Sequence, residues 1–69
     1  MAEKLDAIDY KILLLLQQDG RITNLELSNR VGLSPAPTLE RVKKLERARI
    51  IEGYHARVNR QKMQLGISV

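Results

Sequence analysis

The 69-residue sequence has no cysteine, no phenylalanine and no tryptophan, and its only aromatic side chains are Tyr10 and Tyr54. Without cysteine there can be no disulfide, no thiolate zinc site and no cysteine nucleophile, and the chain suits a reducing compartment. With so few aromatics, the core must be built from Leu, Ile and Val. Long hydrophobic runs are also missing: the longest, Ile12 to Leu16, is far below the ~20 residues that span a bilayer. The amino end, Met1 to Asp6, is mixed in charge and lacks the apolar stretch of a secretory signal. The expectation is a soluble, cytoplasmic protein with no membrane partner. No internal repeat or low-complexity segment occurs.

Length adds a further limit. At 43% apolar residues the chain can form one small domain, which on folding hides only about 60% of its unfolded surface. A catalytic cleft is hard to build at this size, because small-molecule pockets need roughly 300 Å³ or more. Nor are the parts of one present. His55 is the sole histidine and has no acidic cluster near it in sequence, so it is not a metal site. Ser34, His55 and an aspartate do not make a triad, since nothing orients them and Ser34 reads as a helix cap. Gly20, Gly32, Gly53 and Gly66 are isolated, so there is no phosphate-cradling loop. No enzymatic activity, cofactor or metal is expected.

The charge is uneven. Residues 1–33 carry four basic and five acidic side chains, a balance of −1. Residues 34–69 carry eight basic against three acidic, a balance of +5. That asymmetry fits either a polyanionic partner for the second half or a solvated basic face.

The apolar pattern predicts three helices and then an extended segment. Asp6 caps the first, with Asp9 favouring its positive end. Leu5, Ile8, Ile12 and Leu16 form its inner stripe with Leu13 on the flank, and Asp19-Gly20 stops it, the glycine left-handed. Leu14 lies opposite, as a scattered surface leucine or facing a partner subunit. Thr23-Asn-Leu-Glu26 matches a capping box for a short second helix with Leu27, Ser28 and Val31 inward, closed by Gly32. Ser34-Pro35 is a cap followed by proline at the first helical position. The third helix, about residues 35–47, places Leu39, Val42 and Leu45 inward. Ile50, Ile51, Tyr54 and Val58 bring β-branched and aromatic residues, and Tyr54, Ala56 and Val58 alternate with His55 and Arg57 as one strand kinked at Gly53, which needs a pairing partner. After the polar Asn59 to Gln64, Leu65 to Val69 reads as the start of another strand, as though a domain boundary lay there. The fold class is mainly α, a three-helix, winged-helix-like helix–turn–helix with one trailing strand and a linker.

Two helices joined by Gly32-Leu33-Ser34 make a helix–turn–helix candidate, whose second helix enters the DNA major groove. Ser28 lets the helices cross closely, and Leu33 anchors the turn. Around the third helix, Ala36, Pro37, Glu40, Lys43, Lys44 and Arg47 lie broadly opposite Val42, with Thr38 and Arg41 to one side. Many small bundles that read nothing share such a pattern.

More specific residues narrow this. Leu5-Asp-Ala-Ile-Asp9, Ile12-Leu13, Asp19-Gly-Arg21, Glu26-Leu-Ser28, Arg30 to Pro35, Leu39-Glu-Arg-Val42, Leu45-Glu46 and Ile51-Glu-Gly-Tyr54 together resemble the amino-terminal domain of the Lrp/AsnC (feast-or-famine) transcriptional regulators. The spacing Ser-Pro-x-Pro-x-x-Glu-Arg-Val at Ser34 to Val42 carries most of the specificity. Leu14 and Leu15 depart from the family, which is often polar there. The resemblance implies duplex DNA as partner, a homodimer in the full-length form, and a following αβ domain that binds amino-acid-type effectors and assembles the oligomer. Residues 1–50 are then the DNA-binding domain. Residues 51–69 are strand, hinge and the start of that second domain, the strand pairing with its twin across the dimer.

Expected DNA contacts are Arg21, Thr23, Asn24, Ser34, Pro37, Thr38, Glu40, Arg41, Lys43, Lys44 and Arg47. Arg41 and Lys44 lead: arginine holds guanine O6 and N7 bidentately, while a phosphate contact from either would only position. Thr38 and Pro37 suit thymine methyls or a phosphate. Glu40 either accepts from cytosine N4 or, the favoured reading, pairs with Lys44 one turn on. Ser34, Thr23 and Asn24 sit at helix starts, which attract phosphate. Arg21, Lys43 and Arg47 neutralise phosphates. Arg57, Arg60 and Lys62 either extend the footprint or lie away on the linker. The alternative is a protein-interaction module using Leu14 and the strand edge.

Overall fold

The computed structural model describes residues 4–66, which form four helices: α1 (Ala7–Gln18), α2 (Asn24–Val31), α3 (Pro35–Arg47) and α4 (Arg60–Gly66). α1 begins at a reciprocal cap. Asp6 Oδ1 accepts from the Asp9 N–H at 2.9 Å, and Asp9 Oδ2 accepts from the Asp6 N–H at 3.3 Å. Aspartate therefore completes the box that glutamate usually closes. The expected stripe faces inward. Ile12 is buried with Leu27 of α2 and Leu45 of α3, and Leu5, Ile8, Leu13 and Leu16 pack around them. The stop differs from expectation: Gly20 is not left-handed. Asp19 ends α1 in an extended conformation and makes the turn itself, its Oδ1 accepting from the Arg21 N–H at 3.0 Å, as Asp side chains do in turns.

At the start of α2, Thr23 Oγ1 accepts from the Glu26 N–H at 3.1 Å, but the other half of the expected box is absent. Glu26 instead takes Arg30 Nε at 2.9 Å, one turn along, because an exposed carboxylate finds a cation at that spacing. Ser28 is buried, its hydroxyl donating to the Leu25 carbonyl at 2.7 Å. Gly32, at φ 77°, closes α2 in the left-handed region where a Cβ is costly.

Ser34 precedes α3 with extended backbone angles and Pro35 at the first position, but its hydroxyl makes no cap hydrogen bond. The phase of α3 also departs from expectation. Thr38 and Leu45 are fully buried, Val42 is half-buried, and Leu39 remains 40% exposed. The small, half-polar Thr38 fits inward because its hydroxyl donates to the Ser34 carbonyl at 2.9 Å, so no polar group is left unpaired. α3 ends in a Schellman arrangement: Ile50 N–H donates to Leu45 O at 3.0 Å and Arg49 N–H to Glu46 O at 3.0 Å. Arg49 supplies the left-handed residue at φ 63°, where glycine is usual.

No strand forms among the described residues. Residues 52–59 have no regular structure and are exposed, so the alternating stretch Tyr54 to Val58 finds no partner to pair with. The strand expected from Leu65 is also corrected at its first residues. Leu65 and Gly66 end α4, and residues 67–69 lie outside the described residues. Asn59 precedes α4, and its Oδ1 accepts from the Lys62 N–H at 2.9 Å. The tail leaves the bundle: the radius of gyration is 15.3 Å, against about 11 Å for a compact domain of this length.

Candidate nucleic-acid interface

The exposed residues of α3 include a stripe at helical spacing, Ala36, Glu40, Lys43 and Arg47, with Pro37 beside its start and Leu39 and Glu46 exposed on another side. It faces away from the Ile12–Leu27–Leu45 core. Beside it are the paired starts of α2 and α3. Asn24 Nδ2 donates to the Pro35 carbonyl at 2.9 Å, tying the two together. The exposed Thr23 and Ser34 flank this tie, and Arg21 is exposed on the loop before it. The fold therefore brings Thr23, Asn24, Ser34 and Pro37 to one end of the α3 stripe, and Lys43 and Arg47 lie toward the other.

Three side chains in the expected set are placed otherwise. Thr38 has no exposed surface, so its side chain is withdrawn from any ligand. Arg41 is turned toward α1: its Nη1 meets Asp6 Oδ1 and Oδ2 at 2.8 Å each and Asp9 Oδ1 at 3.0 Å. Lys44 Nζ lies 3.6 Å from Asp9 Oδ2. The favoured Glu40–Lys44 pair is thus not formed, because Lys44 turns to a buried carboxylate that needs a counter-charge more than an exposed glutamate does.

Asp9 is 1% exposed and sits within the apolar stripe between Ile8 and Ile12, so burial demands the pairing. The Arg41 guanidinium hydrogen-bonded to Asp6, together with the Asp9 N–H, holds the Asp6 carboxyl below its ordinary range. Hydrogen bonds to Asp6 and then Asp9 raise Arg41 in turn. An acid inside an apolar stripe, with two cations at one-turn spacing on another helix, was the available clue to this cluster, and reading Asp9 only as a helix-start residue missed it.

The tail is strapped back at one point. Tyr54 Oη donates to Glu46 Oε2 at 2.7 Å. Partial burial, then this bond, pushes the phenol up to about 12. Behind the strap, α1 and residues 50–55 border an open groove of about 800 Å³ lined by Tyr10, Leu13, Leu14 and Ile50 among others. Leu14 is 55% exposed at its rim. Among the described residues no helix is long and apolar enough to cross a membrane.

Three helices with a tight left-handed turn between the last two, and a solvent-facing third helix, are the frame of a helix–turn–helix protein. The chain belongs to the winged helix-turn-helix DNA-binding family, whose profile matches residues 5–52. It is 62% identical over 56 residues to a leucine-responsive regulatory protein of Rhizobium meliloti (strain 1021), covering 81% of this chain and 36% of that protein. With the leucine-responsive regulatory protein of Escherichia coli (strain K12) it shares 64% identity over 55 residues, 80% of this chain and 34% of the relative. Among solved structures, a Neisseria meningitidis transcriptional regulator in complex with L-Met superposes with a TM-score of 0.86 at 51% identity, covering 91% of this chain and 41% of that one. Bacillus subtilis LrpC gives 0.84 at 39%, covering 93% and 46%. The Lrp/AsnC resemblance is borne out, and these relatives are regulators rather than enzymes. The chain spans about a third of the length of the curated relatives it matches.

Proposed function

We propose that the chain acts in transcriptional regulation by binding preferred duplex sites, with α3 lying in the major groove. The observation that carries this is the outward stripe Ala36–Glu40–Lys43–Arg47 of α3, on a chain whose family binds DNA. Lys43 and Arg47 neutralise phosphates, Glu40 and Pro37 face base edges, and Arg41 and Lys44, also on α3, flank them while paired with Asp6 and Asp9. Arg21, Thr23, Asn24 and Ser34 meet the backbone beside the paired helix starts, where N–H groups favour anions. Thr38 is left out on account of its burial. Residues 1–50 form the reader, and residues 51–69 form a hinge segment leading to an effector and assembly domain. The protein works in the cytoplasm as a homodimer, two readers spanning half-sites about one helical turn or a multiple apart.

The test is anisotropy of a labelled duplex titrated with the chain at low and high salt, alongside Lys43→Ala/Arg47→Ala. Binding that weakens with salt and weakens again in the double variant is expected. A double variant that binds like the parent removes the α3 stripe from the interface. Absence of binding at low salt rejects the DNA reading for the isolated chain. The second reading, self-association through the groove beside Leu14 and Tyr10, rests on the exposure of both side chains. It would leave an assembly little affected by salt.

A further inference from the structure

We propose that Asp6 and Asp9 are positioning residues for DNA recognition: from the first turn of α1 they hold the Arg41 guanidinium of α3 by one nitrogen and leave its other edge to meet DNA. The inference rests on the DNA-reading role of α3 proposed above. Three carboxylate oxygens converge on Nη1 within 3.0 Å, and among the described residues none of these bonds uses Nη2 or Nε. Guanidinium carries five N–H donors in a fixed plane, so fixing one nitrogen orients the rest. Arg41 keeps 27% of its side chain exposed, between 55% for Asp6 and 1% for Asp9, so the guanidinium is anchored at the edge of the bundle without being sealed from solvent. Asp9 is itself fixed, being buried in the α1 stripe, bonded to the Asp6 N–H and 3.6 Å from Lys44 Nζ. The anchor thus transfers the rigidity of the α1 cap to a long side chain on α3, which would otherwise lose rotamer freedom on binding.

This makes a prediction opposite in sign to simple electrostatics. Removing a negative charge near a polyanion tightens binding to every duplex. Loosening a positioned arginine weakens only the duplex whose bases it reads.

The experiment uses the 69-residue chain and two duplexes, the best one recovered by selection from a random-sequence pool and a scrambled duplex of equal length. The affinity ratio between them is measured for the parent, Asp9→Asn, Asp6→Asn and each aspartate variant combined with Arg41→Ala. Asp6→Asn guards against loss of folding, because asparagine keeps the helix cap and Asp6 is 55% exposed. Thermal melting confirms that each variant compared is folded. The ratio is expected to fall about tenfold in an aspartate variant, with affinity for the scrambled duplex unchanged or higher. In the Arg41→Ala background the same change should shift the ratio by less than about twofold. If both duplexes gain or lose affinity equally in the folded Asp6→Asn variant, the carboxylates act only by charge or stability and the proposal is overturned. A parent chain that binds the two duplexes alike, or neither, overturns the reading of α3 together with this proposal.

Discussion

Leu39 and Leu45 are six positions apart on one helix and were expected on one face, yet only Leu45 is fully buried. Leu45→Ala removes atoms from the centre of the Ile12–Leu27–Leu45 cluster and is expected to cost about 2–5 kcal/mol. Leu39→Ala, from a side chain already 40% exposed, should cost less than about 1.5 kcal/mol, since much of its surface stays in water in either state. Urea unfolding midpoints compare the two directly; equal losses would return Leu39 to the core. The inward stripe of α1 was legible from Leu5, Ile8, Ile12 and Leu16, which are all apolar, although Asp9, buried among them, was not. The stripe of α3 was not, because its inward side includes Thr38 and half-buried Arg41 and Lys44, which pattern reading assigns to solvent. Each is inside because of a partner far away in sequence or one turn back: Asp6 and Asp9 for the cations, the Ser34 carbonyl for Thr38. Such partners become visible only once the helices are placed together.

The helix ends show how far local chemistry carries. Asp6, Thr23, Pro35 and Gly32 were readable because each acts on backbone within four residues. Arg49 was not, because nothing in an arginine announces a left-handed angle. The two left-handed residues give a matched test. Gly32→Ala, at φ 77° with open space around the added Cβ, pays only the backbone cost, about 1–2 kcal/mol. Arg49→Gly, at φ 63°, relieves the same kind of strain and should stabilise by up to about 1 kcal/mol, reduced by the greater freedom of glycine in the unfolded chain. Opposite shifts in melting temperature are expected; shifts of one sign would place the cost elsewhere than in the backbone. The Tyr54–Glu46 strap offers a pH test between α3 and the tail. Its phenol ionises at about 12 in the fold against an ordinary 10. The bond therefore contributes fully below pH 10 and is lost as pH rises through about 12. Tyr54→Phe should lower stability at neutral pH and flatten its decline across that window, as followed by thermal melting; identical pH profiles would show that the strap contributes nothing.

At the scale of the whole molecule, the basic half divides into two groups that charge counting could not separate. Lys43 and Arg47 project from a helix fixed to the core, whereas Arg57, Arg60 and Lys62 sit on or beyond an irregular stretch that leaves the bundle. The bundle is small and the molecule long, 45 Å by 30 Å by 17 Å, so a duplex seated on α3 need not reach the tail. Counterion release distinguishes the groups, because each neutralised phosphate adds about 0.9 to the slope of log affinity against log salt. Lys43→Ala and Arg47→Ala are each expected to flatten that slope by about 0.9. Replacing Arg57, Arg60 and Lys62 together by Ala should leave it unchanged, although this removes more charge than either single change. Titrations of one labelled duplex at several salt concentrations measure all the slopes. If the tail variant flattens the slope by about 2 or more, the tail lies along the DNA backbone, and the reader must be redrawn to include it.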